Sequence, residues 1–233
     1  MKPLYLYITR HGQTVYNTTN IVQGYNDSAL TKLGIYQGRC VGYGLRNIKF
    51  DKAYSGNIAR QYKTAQLILE ENLYGQETKL IIDERLKEMG YGTYQGKPYE
   101  VMLKPIFERI NIPYGDFEKL EETLSPAQIG KMLNEHNKTV EKYDVLCTRV
   151  KQAIEQIVDD NKEGGNVLIA TSSCALDALI DVLFPKLEKR KGLVSNCCIC
   201  LIRYEKNNFY LDKFNDISYR IEGENYYNEK NIG

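Results

Sequence analysis

The residues best placed to do chemistry are Arg10, His11 and Gly12, which interrupt the apolar run that begins at Leu4. This run is rich in residues that favour β structure, and it predicts a buried strand over about Leu4–Thr9. A neutral imidazole is a nucleophile that attacks phosphorus, and a glycine allows the backbone to approach a ligand closely. A guanidinium binds phosphate oxygens in pairs and keeps its charge. This combination favours phosphoryl chemistry over a histidine that only packs in a core.

Two further predicted strands end in polar residues that such a reaction needs. The run FDKAYSG leads from Ser55 into a predicted helix that carries Arg60, and the run NVLIATSS ends at Ser172 and its neighbours. Ligands in open α/β sheets bind beyond the carboxyl ends of the strands, so these residues are expected to converge with His11. Glu88 lies in the glycine-rich loop ERLKEMGYGTYQGKP, which could join them. A solvated surface carboxylate is the alternative for Glu88.

These segments together resemble the histidine phosphatase superfamily, the phosphoglycerate-mutase-like group. The runs TRHGQTVYN and IVQGYNDSALTKLG resemble its N-terminal signature, and AYSGNIARQYKTAQ resembles its Ser-x4-Arg-x3-Thr-Ala segment. The run ERLKEMGYGTYQGK resembles its acid loop, and NCCICLIRYEKNNFYLDKFND resembles its closing hairpin. The resemblance spans nearly the whole chain in the right order, which makes it more specific than an isolated Arg-His-Gly. The compact acid loop is similar to the phosphatase branch, because mutases of the family carry a longer insertion there.

The resemblance implies catalytic roles for four residues. His11 would be transiently phosphorylated, while Arg10 and Arg60 would clamp the phosphoryl group. Glu88 would protonate the leaving alkoxide and later take a proton from the attacking water. No metal or other cofactor is expected, because the arginines supply the charge neutralisation that a metal ion supplies in other phosphatases.

Four further positions are predicted to bind substrate, and they are Asn17, Gln23, Gly24 and Ser172. Asn17 and Gln23 match family positions that contact phosphate or substrate, with turn chemistry and simple solvation as the alternative. At Ser172 the family usually has a second histidine, so the chain departs from the pattern. A serine keeps one hydrogen-bond donor without the imidazolium charge, and losing one such donor typically costs about 10²–10³ in rate. The remaining histidine, His136, is predicted to lie on the surface.

The sequence therefore predicts a phosphomonoester hydrolase that acts on a small phosphorylated metabolite, with a rate that Ser172 attenuates. A phosphate-binding protein without useful catalysis is the alternative, because Ser172 replaces the expected histidine. A mutase-type phosphotransferase is the second alternative. Neither the individual substrate nor the oligomeric state is readable from the residues.

The composition of the 233-residue chain argues against several partners. Its net charge of +1 gives no global field that favours nucleic acid or an anionic membrane surface. The N-terminus lacks a signal-peptide pattern, and no apolar run reaches the roughly 18 residues of a membrane-spanning helix. A cytoplasmic location is expected.

Strand-like and helix-like runs alternate along the chain, which predicts an α/β fold. We expect a three-layer α/β/α sandwich with a mainly parallel sheet. Residues 1–233 are predicted to form a single domain, with a helical cap inserted at about 98–137. A C-terminal hairpin is expected to turn at Asn207 and Asn208, and Thr31 is expected to be the N-cap of a helix.

The six cysteines do not predict disulfides in a chain without a secretion signal. The run NCCICLI lacks a second ligand pair for a metal, and its alternation places Cys198 and Cys200 on one face of a buried strand. Cys40 and Arg46 have the Cys-x5-Arg spacing of cysteine-dependent phosphatases, but they lie in an apparent helix. Cys174 begins a predicted helix without an arginine at the needed spacing. Structural roles are therefore favoured for all of them.

Overall fold

Six strands form one sheet in the computed structural model, which describes residues 2–187 and 194–232. The strands are β1 (Leu4–Arg10), β2 (Lys52–Ser55), β3 (Lys79–Ile82), β4 (Gly165–Thr171), β5 (Ile199–Glu205) and β6 (Asn208–Asp216). They lie in the order β3-β2-β4-β1-β5-β6. The first four strands pair in parallel, whereas β5 and β6 add an antiparallel edge. The predicted α/β fold with a mainly parallel sheet is thereby confirmed.

Helices cover both faces of this sheet. Within the described residues they are α1 (Val15–Thr18), α2 (Lys32–Gly44), α3 (Ala59–Glu71), α4 (Tyr99–Arg109), α5 (Phe117–Thr123), α6 (Pro126–His136), α7 (Tyr143–Asp159), α8 (Ser173–Leu183) and α9 (Ser218–Ile232). Side chains of α2, α3 and α9 pack on one face, and those of α4, α6, α7 and α8 contribute to the core on the other. This is the three-layer arrangement that the alternating sequence predicts.

The alternation of side chains along β1 divides the core into two parts. Leu6 and Ile8 belong to the larger part with α7 and α8, whereas Tyr7 belongs to the smaller part with α2 and α3. Successive side chains of a strand point to opposite faces, so one apolar run supplies both cores. Leu6 and Ile8 are almost completely removed from water. Burial of one such side chain contributes about 1.5–3 kcal/mol, which fixes the strand that presents His11.

The helix predicted to start at Thr31 does so. The Thr31 hydroxyl accepts a hydrogen bond from the N–H of Gly34 at 3.0 Å, which satisfies one of the free donors at the start of α2. The helix then packs against α3. Because α3 carries Arg60, the position of α2 bears directly on the site.

The predicted insertion at 98–137 is helical, since α4, α5 and α6 lie within it. It starts where Tyr99 donates its backbone N–H to the carbonyl of Asn20 at 2.8 Å. Ser125 and Gln128 form a capping box at the start of α6. That these helices form a cap over the site, within a single domain, stays a prediction. Residues 1, 188–193 and 233 of that predicted domain lie outside the described residues.

Two details of the sequence reading are wrong or incomplete. The hairpin turns at Lys206 and Asn207, one residue earlier than predicted, because these two residues adopt φ of 51° and 61° while Asn208 already begins β6. Two positive φ angles are typical of the tight turns whose twist matches that of the strands. The helices α1 and α9 are not predicted. The spacing of apolar residues in α9 is weak, and its position depends on packing against α2.

The cysteines follow the predicted pattern. All six are free, and Cys40 lies inside α2. Cys198 and Cys200 share the larger core, whereas Cys197 packs in the smaller one, as the alternation requires. Across residues 2–187 and 194–232, no group of three or more His, Cys, Asp or Glu side chains is arranged to hold a metal ion. None of the helices described there has the length and apolar character needed to cross a membrane.

Candidate active site

Three parallel strands bring their carboxyl ends to one edge of the sheet. In the register, Arg10 of β1 lies opposite Thr171 of β4, and Ser55 of β2 lies opposite Ala170. The N–H of His11 donates to the carbonyl of Thr171 at 2.9 Å, so the ladder continues one residue past β1. Open α/β sheets bind ligands at this edge. The predicted residues His11, Arg60 and Ser172 all lie there.

His11 is a neutral imidazole whose Nε2 faces the guanidinium of Arg60. Its Nδ1 lies 2.8 Å from the carbonyl oxygen of Gly12, and its Nε2 lies 3.2 Å from Nε of Arg60. A carbonyl only accepts and a guanidinium only donates, so Nδ1 carries the hydrogen and Nε2 carries the lone pair. The side chain is 2% exposed. Burial, with the charges of Arg60 and Arg10, holds the pKa of His11 well below its usual 6.5.

The turn after His11 requires a glycine. The N–H of Gly12 donates to the hydroxyl of Thr64 at 3.0 Å, and that hydroxyl donates to the carbonyl of Arg60 at 2.7 Å. A Cβ on Gly12 would collide with the carbonyl of Gly34 in α2. The absence of a side chain therefore lets the loop after His11 lie directly against α2 and α3.

The Arg60 guanidinium connects the nucleophile to the loop around Gly24. Its Nη2 donates to the carbonyl of Gly24 at 2.8 Å, and Nη1 donates to the carbonyl of Asn26 at 2.8 Å and to Asp27 Oδ1 at 3.1 Å. Gly24 adopts φ of +56°, a conformation that suits glycine. With the bond to His11, these contacts use four of the five N–H groups of a guanidinium. Arg60 is thus rigid, buried and fixed in charge.

Arg10 offers a donor that the described residues leave free. Its Nη1 donates to the carbonyl of Val194 at 2.5 Å, which fixes the side chain beside the loop that precedes β5. Its Nε is buried and has no hydrogen-bond partner among the described residues. Buried donors in native proteins nearly always have a partner, so an unpaired one beside His11 is a natural contact for an anionic ligand.

A second loop supports the chain behind His11. The N–H of Cys197 donates to the carbonyl of Arg10 at 3.0 Å, and Nδ2 of Asn196 donates to the carbonyl of His11 at 2.8 Å. Arg220 of α9 in turn donates to the carbonyl of Asn196 at 2.7 Å. The unpredicted helix α9 therefore helps to fix the main chain at His11.

Glu88 is buried, contrary to the alternative of a solvated carboxylate. It is 5% exposed, and its Oε1 accepts the N–H of Met89 at 2.8 Å. Its Oε2 lies 3.5 Å from the hydroxyl of Ser173, the first residue of α8. Glu88 therefore lies at the junction of β4 and α8, beside Ser173, which is two residues along the chain from Thr171, whose carbonyl pairs with His11.

The loop that carries Glu88 is held by a remote ion pair. Arg149 of α7 donates to the carbonyls of Arg85, Lys87 and Glu88, each at 2.7 Å. It also pairs with Glu141 at 2.8 Å, and Glu141 accepts the N–H of Gly90 at 2.9 Å. Burial tends to raise the pKa of Glu141, but the hydrogen bonds and charge of Arg149 outweigh it and hold that pKa below its usual value.

Ser172 is fully buried against an amide that the sequence reading missed. Nε2 of Gln61 donates to Ser172 Oγ at 2.8 Å and to the carbonyl of Leu86 at 3.2 Å. Both Gln61 and Ser172 are 0% exposed. Gln61, Arg149 and Glu141 carry no local signal in the sequence, because only the folded chain brings them to the two loops.

Three predicted residues have structural partners. Asn17 forms a capping box with Thr14 at the start of α1, and Gln23 is buried and accepts a hydrogen bond from Ser28 at 3.2 Å. Gly24 uses its carbonyl to hold Arg60. Their contacts with substrate stay predictions. His136 is exposed at the end of α6, as predicted.

Neither cysteine alternative has a reactive thiol. Burial and the nearby Glu88 raise the pKa of Cys174 well above its usual value, and its Sγ lies 2.9 Å from the hydroxyl of Tyr91. Burial raises the pKa of Cys40 to about 11. The thiolate is the nucleophilic form, so both side chains are poor nucleophiles at neutral pH.

Comparisons with known proteins identify the family and the fold. A family profile described as "Histidine phosphatase superfamily (branch 1)" matches residues 6–217, from β1 to the end of β6. The crystal structure of phosphoglycerate mutase from Bacillus anthracis str. Sterne superimposes with a TM-score of 0.85 at 28% identity, covering 96% of this chain and 97% of that one. A mycobacterial glucosyl-3-phosphoglycerate phosphatase in complex with VO3 has a TM-score of 0.70 over 93% and 100% of the two chains; at 20% identity this likeness concerns the fold alone.

The curated relatives match over shorter stretches. The fructose-2,6-bisphosphatase TIGAR of Xenopus tropicalis is 38% identical over 94 residues, which are 40% of this chain and 34% of that protein. For the relatives with at least 35% identity, the match spans about a third to a half of the relative's length, from 34% to 47%.

Proposed function

This chain belongs to the histidine phosphatase superfamily, branch 1, and we propose on that basis that it hydrolyses phosphomonoesters through a phosphohistidine at His11. The observation that carries the proposal is the neutral, buried imidazole whose Nε2 lone pair faces the Arg60 guanidinium. A lone pair held beside a fixed cation is what an attack on an anionic phosphoryl group requires.

The first step transfers the phosphoryl group to the protein. Nε2 of His11 attacks phosphorus, the N–P bond forms, and the P–O bond to the leaving group breaks. Glu88 in its acid form gives its proton to the departing alkoxide. Formation of the N–P bond uses the lone pair of Nε2, so the Nε–H of Arg60, with its guanidinium held in place, becomes free to donate to a phosphoryl oxygen.

The second step returns the enzyme to its starting state. Glu88, now a carboxylate, takes a proton from water, and the resulting hydroxide oxygen attacks phosphorus. The N–P bond breaks, its electron pair returns to Nε2, and inorganic phosphate leaves. The bond from Nδ1 to the carbonyl of Gly12 holds the ring in one orientation through both steps.

Fixed cations neutralise the phosphoryl charge in this proposal, which makes the reaction metal-independent. Arg60 is buried with its guanidinium held on four partners, and the buried Nε of Arg10 is unpaired among the described residues. Preorganised donors of this kind act where charge develops in the transition state, without reorganisation during the reaction.

The proposed substrate class is a small phosphorylated metabolite. The relatives bear the names of a fructose-2,6-bisphosphatase and a phosphoglycerate mutase, both of which refer to such compounds. Mutase-type transfer between two hydroxyl groups is a second candidate, favoured by the 28% identity over 96% of the chain to the Bacillus anthracis protein. Binding without turnover is a third, favoured by the uncharged hydroxyl at Ser172.

Hydrolysis of p-nitrophenyl phosphate, with and without EDTA, tests the proposal. We expect turnover that EDTA leaves unchanged and an acid-labile, base-stable phosphoprotein after rapid quenching. Labelled 3-phosphoglycerate in the same assay separates hydrolysis from transfer. A silent chain whose melting temperature still rises with orthovanadate would indicate the binding function instead. Turnover that EDTA abolishes would contradict metal independence.

A further inference from the structure

The contact between Gln61 and Ser172 fixes the direction of a hydrogen bond. Nε2 of Gln61 lies 3.2 Å from the carbonyl oxygen of Leu86, which only accepts, so the nitrogen end of the amide faces this way. The same nitrogen lies 2.8 Å from Ser172 Oγ. An amide N–H has no lone pair to offer, and Ser172 Oγ is therefore the acceptor.

The opposite orientation of the amide would give a different site. A flipped Gln61 would accept the serine proton through Oε1, but it would place two oxygens face to face at Leu86. In the observed orientation Oε1 is buried without a partner among the described residues. The amide thus gives up one hydrogen bond, and the proton of the Ser172 hydroxyl is not used by Gln61.

That proton is not used by the helix either. Ser172 is the N-cap residue of α8, yet its side chain makes no capping hydrogen bond. Its neighbour Thr171 accepts the backbone N–H of His11 at 2.9 Å, so Ser172 lies directly beside the nucleophile's main chain. Among the described residues no acceptor takes this proton, which leaves the buried hydroxyl able to donate to a ligand at His11.

We propose that Gln61 is a positioning residue that turns the Ser172 hydroxyl into a donor toward the phosphoryl group on His11. The proposal rests on the proposed function and extends it. Gln61 and Ser172, both uncharged, together provide a donor at the position where the family usually has a second histidine. Because neither of them titrates near neutral pH, this donor stays available across the pH range in which His11 is neutral.

A double-mutant cycle with p-nitrophenyl phosphate tests the coupling. Gln61→Met keeps the length of the side chain and removes the amide, and we expect kcat to fall about 10-fold with little change in KM. Ser172→Ala is expected to lower kcat about 100-fold. In the Ser172→Ala background, Gln61→Met should cost less than about 2-fold, because Gln61 acts through that hydroxyl. Equal losses in both backgrounds would overturn the proposal.

A buried amide at the other end of α3 provides the matched control. Asn72 donates to the carbonyls of Leu45 and Ile48 at 2.7 and 3.0 Å and is 6% exposed. Asn72→Leu should lower the melting temperature and leave kcat unchanged well below it. A fall in kcat equal to that of Gln61→Met would mean that general loosening explains the effect, and the proposal would fail.

Gln61→Glu gives a readout that does not depend on how well Gln61→Met folds. The introduced carboxylate accepts the serine proton when it is ionised, which reverses the hydrogen bond. We expect kcat to fall as the pH rises through the pKa of the new carboxyl, and Ser172→Ala should remove that pH dependence. A kcat–pH profile identical to that of the unaltered protein would overturn the proposal.

The experiment distinguishes failure of the positioning role of Gln61 from failure of the proposed function. If the unaltered protein is inactive but binds orthovanadate, hydrolysis is rejected and the same cycle is measured on the vanadate Kd. Coupling between Gln61 and Ser172 would then support the positioning role, and additive losses would overturn it. A chain that neither turns over nor binds vanadate overturns both proposals.

Discussion

His11 and Glu88 face the same sheet edge, but the chain holds them by different means. The main chain around His11 is fixed by backbone hydrogen bonds, from His11 to Thr171 of β4 and from the loop residue Cys197 to Arg10. The loop of Glu88 pairs with no strand among the described residues and is fixed by the side chain of Arg149. The strand that presents His11 follows from a local apolar pattern, whereas a contact from a remote side chain does not. The position of His11 is therefore readable from sequence, and the support of Glu88 is not.

Removal of the nucleophile is the largest expected effect. His11→Ala eliminates the atom that accepts the phosphoryl group, and we expect kcat for p-nitrophenyl phosphate to fall by at least about 10³-fold. His136→Ala, which changes the exposed histidine of α6, should leave kcat unchanged. Residual phosphoprotein in the His11→Ala variant would show that another side chain is the nucleophile.

Neutralisation of the acid comes next. Glu88→Gln keeps the shape of the side chain and removes its proton transfer, which is worth about 10²–10⁴-fold. The loss should be greater for an alkyl phosphate than for p-nitrophenyl phosphate, because nitrophenolate leaves without a proton. Glu84→Gln, an exposed change in the same loop, is the control. Equal losses on the two substrates would contradict the assignment of Glu88 as the acid.

Loss of the Arg149 contacts that hold the loop of Glu88 should have a smaller effect on kcat. Arg149→Met removes the donors to three loop carbonyls and leaves Glu141 unpaired, and we expect kcat to fall about 10–100-fold. The free energy of unfolding should fall by roughly 3 kcal/mol, because a largely buried partner loses its counter-charge.

The chain offers a matched control for this pair. Arg109 and Glu135 form an exposed ion pair at 2.7 Å on α4 and α6, and Arg109→Met should cost less than about 1 kcal/mol with no change in kcat. Adding Glu141→Gln to Arg149→Met should recover part of the stability without recovering kcat. Denaturant unfolding and steady-state kinetics on the same samples measure both. Full recovery of kcat would show that Arg149 acts on stability alone.

The smallest expected difference between the His11 region and the Glu88 region is in how their stability depends on pH. The folded protein holds His11 neutral with a pKa well below 6.5, because of burial and then the charges of Arg60 and Arg10. Below pH 6.5 the unfolded chain binds a proton that the folded chain does not, so stability falls as the pH drops. His11→Gln should reduce the loss between pH 6.5 and 5.5 by about 1 kcal/mol.

The acid-loop region should respond only at lower pH. The pKa of Glu141 is held below its usual 4.5, so its contribution to stability is present above 4.5 and is lost as the pH falls through the lowered value. Denaturant unfolding at pH 6.5, 5.5 and 4.0 for the His11→Gln and Glu141→Gln variants measures both windows. If both variants changed the free energy of unfolding over the same pH range, the two regions would not be electrostatically distinct.

The sequence by itself determined the sheet and the position of His11 at its edge. An apolar, β-rich run that ends in Arg10, His11 and Gly12 predicts a buried strand with a phosphate-directed end, because both properties depend on adjacent residues. The N-cap at Thr31 and the alternation at Cys198 and Cys200 were readable for the same reason. Local periodicity and capping chemistry decide such features before any distant contact forms.

Only the tertiary structure decided what surrounds these residues. Gln61 meets Ser172, and Arg149 meets the acid loop, across more than 60 positions of the chain. Helix α9 reaches the nucleophile through Arg220, although its weak apolar pattern gave no sign of it. Side-chain hydrogen bonds between distant segments depend on the packed geometry of the whole chain, and no short stretch of sequence records them.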